Sequence, residues 1–283
     1  MSDRYGKLYI VATPIGNLDD ISRRALDVLE NVALIAAEDT RHSRRLLSHY
    51  AINTSLRACH DFNERRAAAG IIRELLDGND VALISDAGTP LISDPGYRLV
   101  AAAHDQGIRV IPVPGANAAV AALSAAGLPT DSFLYLGYAP EKAAARAARL
   151  EKLVREPYTL VFYEAPHRIR DFLAAAAAAF GSERQAVLAR ELTKQYESLY
   201  RGDLDQLLAG VDSGDIPARG EFVVLVQGAA TDRATDDTET ERVLTLLLEE
   251  LPLKQAAKLG AKITGRKKND LYALGLKLTD SSK

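Results

Sequence analysis

The chain has 283 residues, 47% of them hydrophobic and 26% charged, with a formal net charge of −3. This is ordinary globular composition, enough for two or three modest domains, and it leaves nucleic-acid contact to local basic patches. The only cysteine, Cys59, excludes an intrachain disulfide and a cysteine-based metal site and fits a reducing, cytoplasmic setting; the start of the chain does not read as a signal peptide, and no apolar run approaches a membrane span.

In chain order, residues 8–12 read as a buried strand, broken by the turn Thr13-Pro14-Ile15-Gly16. A helix is expected over 20–30, a strand over 32–37, a helix over 43–50, a short strand near 55–57 and an amphipathic helix over 63–76. A strand over 80–84, a helix over 97–103 and a strand over 108–113 complete the first group. Such alternation implies a mainly parallel sheet. After Pro114-Gly115 come a helix over 117–126, a strand over 133–138, a basic helix over 142–153 and strands near 158–163, 186–189, 197–200 and 221–226, the later ones with antiparallel character. The expected division is an α/β domain over 1–115, a second over 116–230, a polar linker over 231–240 and a basic helical module over 241–283 with a helix-turn-helix pattern.

Common chemistry motifs are missing. No Gly-x-Gly-x-x-Gly follows the first strand, residues 260–267 lack the lysine and hydroxyl of a phosphate loop, and no Gly-x-Ser-x-Gly elbow occurs. The histidines lack metal-ligand spacing, so no metal site is expected.

What stands out is the loop Ser85-Asp86-Ala87-Gly88-Thr89-Pro90-Leu91-Ile92-Ser93-Asp94-Pro95-Gly96. It follows a buried strand, where open α/β sheets place their ligands. Its glycines permit close backbone approach, its prolines stiffen it and its two aspartates suit a cationic or hydroxyl-rich ligand. Three charged clusters also follow buried strands: Glu38-Asp39-Thr40-Arg41, Tyr163-Glu164-Ala165-Pro166-His167-Arg168 and Arg190-Glu191-Leu192-Thr193-Lys194. Singly, each reads as capping or a surface ion pair. Together, with the turns at Thr13 and Asp86, they point to one shared cleft.

These segments, with Pro112-Val113-Pro114-Gly115, resemble the tetrapyrrole methylase superfamily of S-adenosylmethionine-dependent methyltransferases. Within it they resemble the branch that methylates a cytidine ribose 2′-hydroxyl in 16S ribosomal RNA. The likeness runs from about Leu8 to Gly228 and continues in the basic tail. It implies two α/β domains of the class III methyltransferase fold holding S-adenosylmethionine between them, a homodimer, and the 30S subunit's 16S rRNA as partner. The small-molecule branch carries Gly-Asp-Pro where this chain has Gly88-Thr89-Pro90, which argues against a tetrapyrrole substrate.

The resemblance assigns Pro14, Gly88, Thr89 and Ile92 to the cofactor loops, with Ala118, Tyr163 and Arg190 as further cofactor residues. A ribose hydroxyl needs a proton acceptor, for which Glu38, Asp39, Glu164 and His167 are candidates. Asp39 with Arg41 is the leading catalytic pair, and Arg41, Arg44, Arg45, Arg65, Arg66 and the lysines of the tail are the local positive charge for RNA. Two alternatives stay open: a small-molecule methyltransferase of the same superfamily, and a nucleic-acid-binding regulator acting through the tail.

Overall fold

The computed structural model describes residues 4–60, 64–230 and 233–280. The chain forms two compact units, residues 1–228 and 229–283.

In the first unit, short apolar runs bounded by turn residues become strands β1 (Leu8–Val11), β2 (Leu34–Ala37), β3 (Leu56–Ala58), β4 (Val81–Ile84) and β5 (Val110–Val113). They form a parallel sheet in the order β3-β2-β4-β1-β5. β2 and β4 are buried at every position, as expected for strands covered on both faces. Helices α1 (Arg23–Asn31) and α2 (Thr40–His49) cover one face through Ala25, Leu29 and Leu47. Helices α3 (Glu64–Leu76) and α4 (Tyr97–Asp105) cover the other through Ile71, Leu75, Leu99 and Ala103. The chain therefore leaves β1 and β4, which are neighbours, toward opposite faces. That divergence opens a crevice at their carboxyl ends.

A second sheet, β6-β7-β10-β8-β9, is built from β6 (Phe133–Tyr138), β7 (Thr159–Glu164), β8 (Gln185–Arg190), β9 (Ser198–Asp203) and β10 (Phe222–Val226). β6 and β7 run parallel, and the other pairs are antiparallel. The two-residue alternation divides its strands between two cores. Leu160, Phe162, Val224 and Val226 face helices α6 (Ala143–Glu151), α7 (Ile169–Phe180) and α8 (Leu204–Ser213). Val161, Val223 and Leu225 face α5 (Ala118–Ala126). The division expected near Gly115 falls between the two sheets, both of which lie in the one compact unit.

The smaller unit holds α9 (Arg233–Glu250), α10 (Leu253–Thr264) and α11 (Lys268–Asp280), packed around Leu244, Ala256, Ala257 and Leu271. Here the expected linker over 231–240 needs correcting, since α9 occupies most of it. Once Leu244 anchors a helix, extending it toward the N-terminus fixes one residue per new hydrogen bond, so propagation does not need an apolar stripe. α2 likewise begins at Thr40, three residues before the expected start, because Asp39 caps it. The expected helix start at residue 63, like the side chains of Arg65 and Arg66, lies outside the described residues. Among the described residues no helix is long and apolar enough to cross a membrane.

β7 is held from below by Phe162, whose ring lies 5.0 Å from that of Phe172, both fully buried. Phe172→Ala should lower the unfolding free energy by about 3–5 kcal/mol, read from the urea midpoint.

Candidate active-site cleft

The turn after β1 and the loop after β4 are joined as a two-residue antiparallel bridge. Thr13 donates its N–H to the Gly88 carbonyl at 2.9 Å, and Gly88 returns the bond to Thr13 at 3.0 Å. The buried Thr13 hydroxyl adds a contact to the Ser85 carbonyl at 3.2 Å. Gly88 sits at φ +83°, a region that costs an L side chain about 1–2 kcal/mol. The loop is tied across to the second sheet as well. Thr89 Oγ1 donates to the Ala116 carbonyl at 3.0 Å, and the hydroxyls of Ser93 and Tyr135 are 2.6 Å apart.

The third wall comes from the loop after β8. Among the described residues, the non-glycine residues with positive φ are Ala51, Leu91, Ser93, Glu191 and Thr193. Four of them lie in the two loops after β4 and β8, the pattern expected where surrounding contacts hold strain at a functional site. A Cβ at Gly16 would lie 2.9 Å from the Leu192 carbonyl and 2.4 Å from Lys194 Cγ, so the β1 turn rests directly on the β8 loop.

These loops enclose a cleft of about 220 Å³. Of the residues expected to act, Glu38, Gly88, Thr89, Ile92, Ala118, Tyr163 and Glu164 line it. Asp39, Arg41, Pro14 and Arg190 do not. Asp39 works as the helix cap of α2: its Oδ1 accepts from the Arg41 N–H at 2.8 Å, and its Oδ2 pairs with the Arg41 guanidinium at 3.0 Å. The Arg41 side chain holds the Asp39 carboxyl down at about 2. Pro14 faces a neighbouring cavity. Arg190 is buried and donates to the carbonyls of Arg219 at 2.7 Å and Tyr196 at 3.0 Å, so it braces the β8 loop from behind. Leu192, from the expected cluster after β8, lines the cleft too, while sequence reasoning missed Asn117, Tyr138 and Glu221. Only Asn117 carried a local signal, as the capping residue of α5, where its Oδ1 accepts from the Val120 N–H at 3.1 Å.

The wall is acidic. Glu38, Asp86, Asp94, Glu164 and Glu221 line it, and among the described residues no lysine, arginine or histidine does. Asp86 is oriented by the Asp39 N–H at 3.0 Å. Glu164 has a fully buried side chain. Its Oε1 accepts from the Ala165 N–H at 3.0 Å and faces the Arg168 guanidinium at 3.0 Å, while its Oε2 is buried with no hydrogen-bond partner. Burial pushes the Glu164 carboxyl above the ordinary glutamate value, the backbone bond and Arg168 opposing it. Tyr163 supplies the aromatic surface, with Tyr135 and Tyr138 packed edge-on at 5.2 and 5.9 Å between ring centres. Its hydroxyl accepts from the Ala119 N–H at 3.2 Å, and burial raises its pKa far beyond neutrality, so it stays protonated. Lys194 is held by Glu191 at 2.9 Å and Glu221 at 3.0 Å. A concave site with fixed anions and an aromatic floor can hold a cationic, partly aromatic ligand.

Comparison with known proteins bears on the fold and the family. The family model described as tetrapyrrole (corrin/porphyrin) methylases matches residues 7–208, and a model described as the RsmI C-terminal HTH domain matches residues 234–279. The chain is 57% identical to a ribosomal RNA small subunit methyltransferase I from Pseudomonas aeruginosa, over 96% of this chain and 97% of that protein. It is 50% identical to one of the same name from Escherichia coli O157:H7, over 96% and 95%. Among solved structures, the methyltransferase CobJ superposes with a TM-score of 0.59 at 19% identity, covering 80% of this chain and 96% of CobJ. A Thermus thermophilus uroporphyrin-III C-methyltransferase complexed with S-adenosyl homocysteine gives 0.55 at 16%, covering 78% and 97%.

Gly88→Ala should cost about 1–2 kcal/mol of unfolding free energy, measured by urea titration, because the left-handed backbone is imposed by the Thr13 bridge. Asp39 lies below its ordinary value of 3.8, so its contribution is complete above pH 3.8 and lost as pH falls toward about 2. Asp39→Ala should therefore lower the melting temperature at neutral pH, and the difference from the parent should shrink through that acid window.

Proposed function

The chain belongs to the tetrapyrrole methylase family, among the ribosomal RNA small subunit methyltransferase I proteins, and on that premise we propose how its cleft serves the reaction. It is a methyltransferase with S-adenosylmethionine as donor and small-subunit ribosomal RNA as acceptor. We propose the ribose 2′-hydroxyl of cytidine 1402 in 16S rRNA as the position modified, in the 30S subunit, by a cytoplasmic homodimer.

The observation that carries this reading is the cleft wall with five carboxylates among its lining residues, one of which, the buried Glu164, keeps an oxygen with no hydrogen-bond partner. When bound, S-adenosylmethionine supplies a methyl group on a positively charged sulfur. Gly88, Thr89, Ile92, Ala118 and Tyr163 are the residues that would hold it, with Pro14 shaping the β1 turn and Arg190 bracing the β8 loop. A carboxylate directly beside sulfur would stabilise the ground state more than the transition state. The stiff Gly88-Thr89 stretch presents uncharged groups there instead, and the free Oε2 of Glu164 takes a hydrogen-bond donor from the ligand's other cationic group. Tyr163 and its neighbours exclude water from that end.

Glu38 then takes the proton from the attacking hydroxyl. It lines the cleft just after β2, as Asp86 does just after β4. Asp39 is less suited, because a carboxyl held at about 2 is a weak proton acceptor at neutral pH. Asp39 and Arg41 instead set the start of α2, and the exposed Arg41 guanidinium is placed for backbone phosphate.

The test is methyl transfer from labelled S-adenosylmethionine to undermethylated 30S subunits, with free 16S rRNA alongside and mapping of the label. Label at a site other than cytidine 1402 overturns the assignment. Glu38→Gln should lower kcat by about 100-fold or more with cofactor affinity kept. Glu164→Gln should weaken cofactor binding about tenfold, an effect of about 1.4 kcal/mol. Because the Glu164 carboxyl is raised, its charged form is lost on acidification at a higher pH than the ordinary 4.5. Calorimetric affinity of the parent should fall there, and that of Glu164→Gln should not.

A further inference from the structure

A second cavity, of about 210 Å³, adjoins the cleft on the same sheet edge. It lies between the β1 turn, the β4 loop and the first half of α2, with Thr13, Pro14, His42, Ser43, Arg45 and Asp86 in its wall. Asp86 lines both spaces.

Ser43 is the informative residue. It is 2% exposed, and its hydroxyl has no hydrogen-bond partner. A helical serine ordinarily returns its hydroxyl to a carbonyl one turn back. Here the Asp39 carbonyl takes the Ser43 N–H at 3.0 Å, and the hydroxyl is left over. Buried hydroxyls are seldom left so, and the cavity it borders is where a partner would lie. Around it stand a carboxylate, which accepts from hydroxyls, a guanidinium, which pairs with phosphate, and the apolar faces of Pro14 and Leu46. This set matches the parts of a nucleotide.

We propose that this cavity seats the acceptor nucleotide of the RNA, with Ser43 and Asp86 hydrogen-bonded to its hydroxyls or base edge and Arg45 on an adjoining phosphate. The inference rests on the function proposed above. It also meets the requirement that the acceptor oxygen approach the methyl carbon directly, since in-line transfer needs the two ligands in adjoining spaces.

The test uses the full-length protein, undermethylated 30S subunits and S-adenosylmethionine. Ser43→Ala and Arg45→Gln should each raise the KM for 30S subunits about tenfold while calorimetric affinity for S-adenosylmethionine stays at the parent value. Arg45→Gln should also reduce the salt slope of RNA binding by about one. Ser43→Ala should melt at or above the parent temperature, because the lost hydroxyl had no partner; a purely structural serine would melt lower. Parent-like KM in both variants, or cofactor affinity falling in step with KM, overturns the proposal. Parent protein that binds S-adenosylmethionine yet labels no 30S subunits overturns the functional reading itself, and with it this assignment.

Discussion

Two backbone hydrogen bonds between Thr13 and Gly88 are the constraint on which the rest of the cleft depends. Neighbouring parallel strands diverge beyond their last ladder bond, because each chain turns away into its own helix. Here β1 and β4 feed helices on opposite faces, so without a tie their turns would splay. The bridge keeps them in register past the sheet edge and forces Gly88 into a backbone region only glycine adopts without cost. Everything beyond it inherits that position: the Thr89 bond to Ala116, the Ser93 contact with Tyr135 and the strained backbone at Leu91 and Ser93. Preorganisation of this kind is what a transfer reaction asks of a scaffold, since positioning accounts for much of the rate.

The second theme is the contrast between two carboxylates that look alike in the sequence. Glu164 ends a buried strand, Asp39 follows one, and both have an arginine close behind. Asp39 is paired at the surface with a guanidinium whose side chain is 91% exposed, and its pKa falls. Glu164 is buried, its arginine satisfies only one oxygen, and its pKa rises. Arg168 in turn donates to the Ala139 carbonyl, so it is anchored to the β6 end and cannot follow the free oxygen. Desolvation outweighs pairing at Glu164, whereas at Asp39 the hydrogen bonds from Arg41 outweigh desolvation. The chemistry available at the two positions diverges for that reason alone.

The second sheet contributes differently from the first. Its antiparallel pairing brings β10, and hence Glu221 and Phe222, alongside β7 at the cleft, although more than fifty residues separate them in the chain. Lys194, which an unpaired reading would offer to RNA phosphate, is held there between Glu191 and Glu221. The positive charge of Lys194 is thus consumed within this rim.

Much of this was legible without coordinates. Apolar runs of four or five residues bounded by turn or charged residues read as short buried strands. Their alternation with helices implies a parallel sheet, and a parallel sheet gathers every strand-terminal loop on one edge. The loop 85–96, the turn at Thr13, Glu38 and the Tyr163-Glu164 pair followed from that logic, and most of them do meet. What local pattern could not decide was the direction of each side chain at that edge. Asp39 and Arg41 satisfy each other as a cap, Arg190 turns inward to two carbonyls, and Tyr138 and Glu221 reach the cleft only because strands distant in the chain pair in a particular register. Periodicity reports which face of an element is buried, because burial follows from the spacing of apolar residues along one segment. Which polar group is left unsatisfied within that burial depends on partners from other segments, and only the assembled fold supplies them.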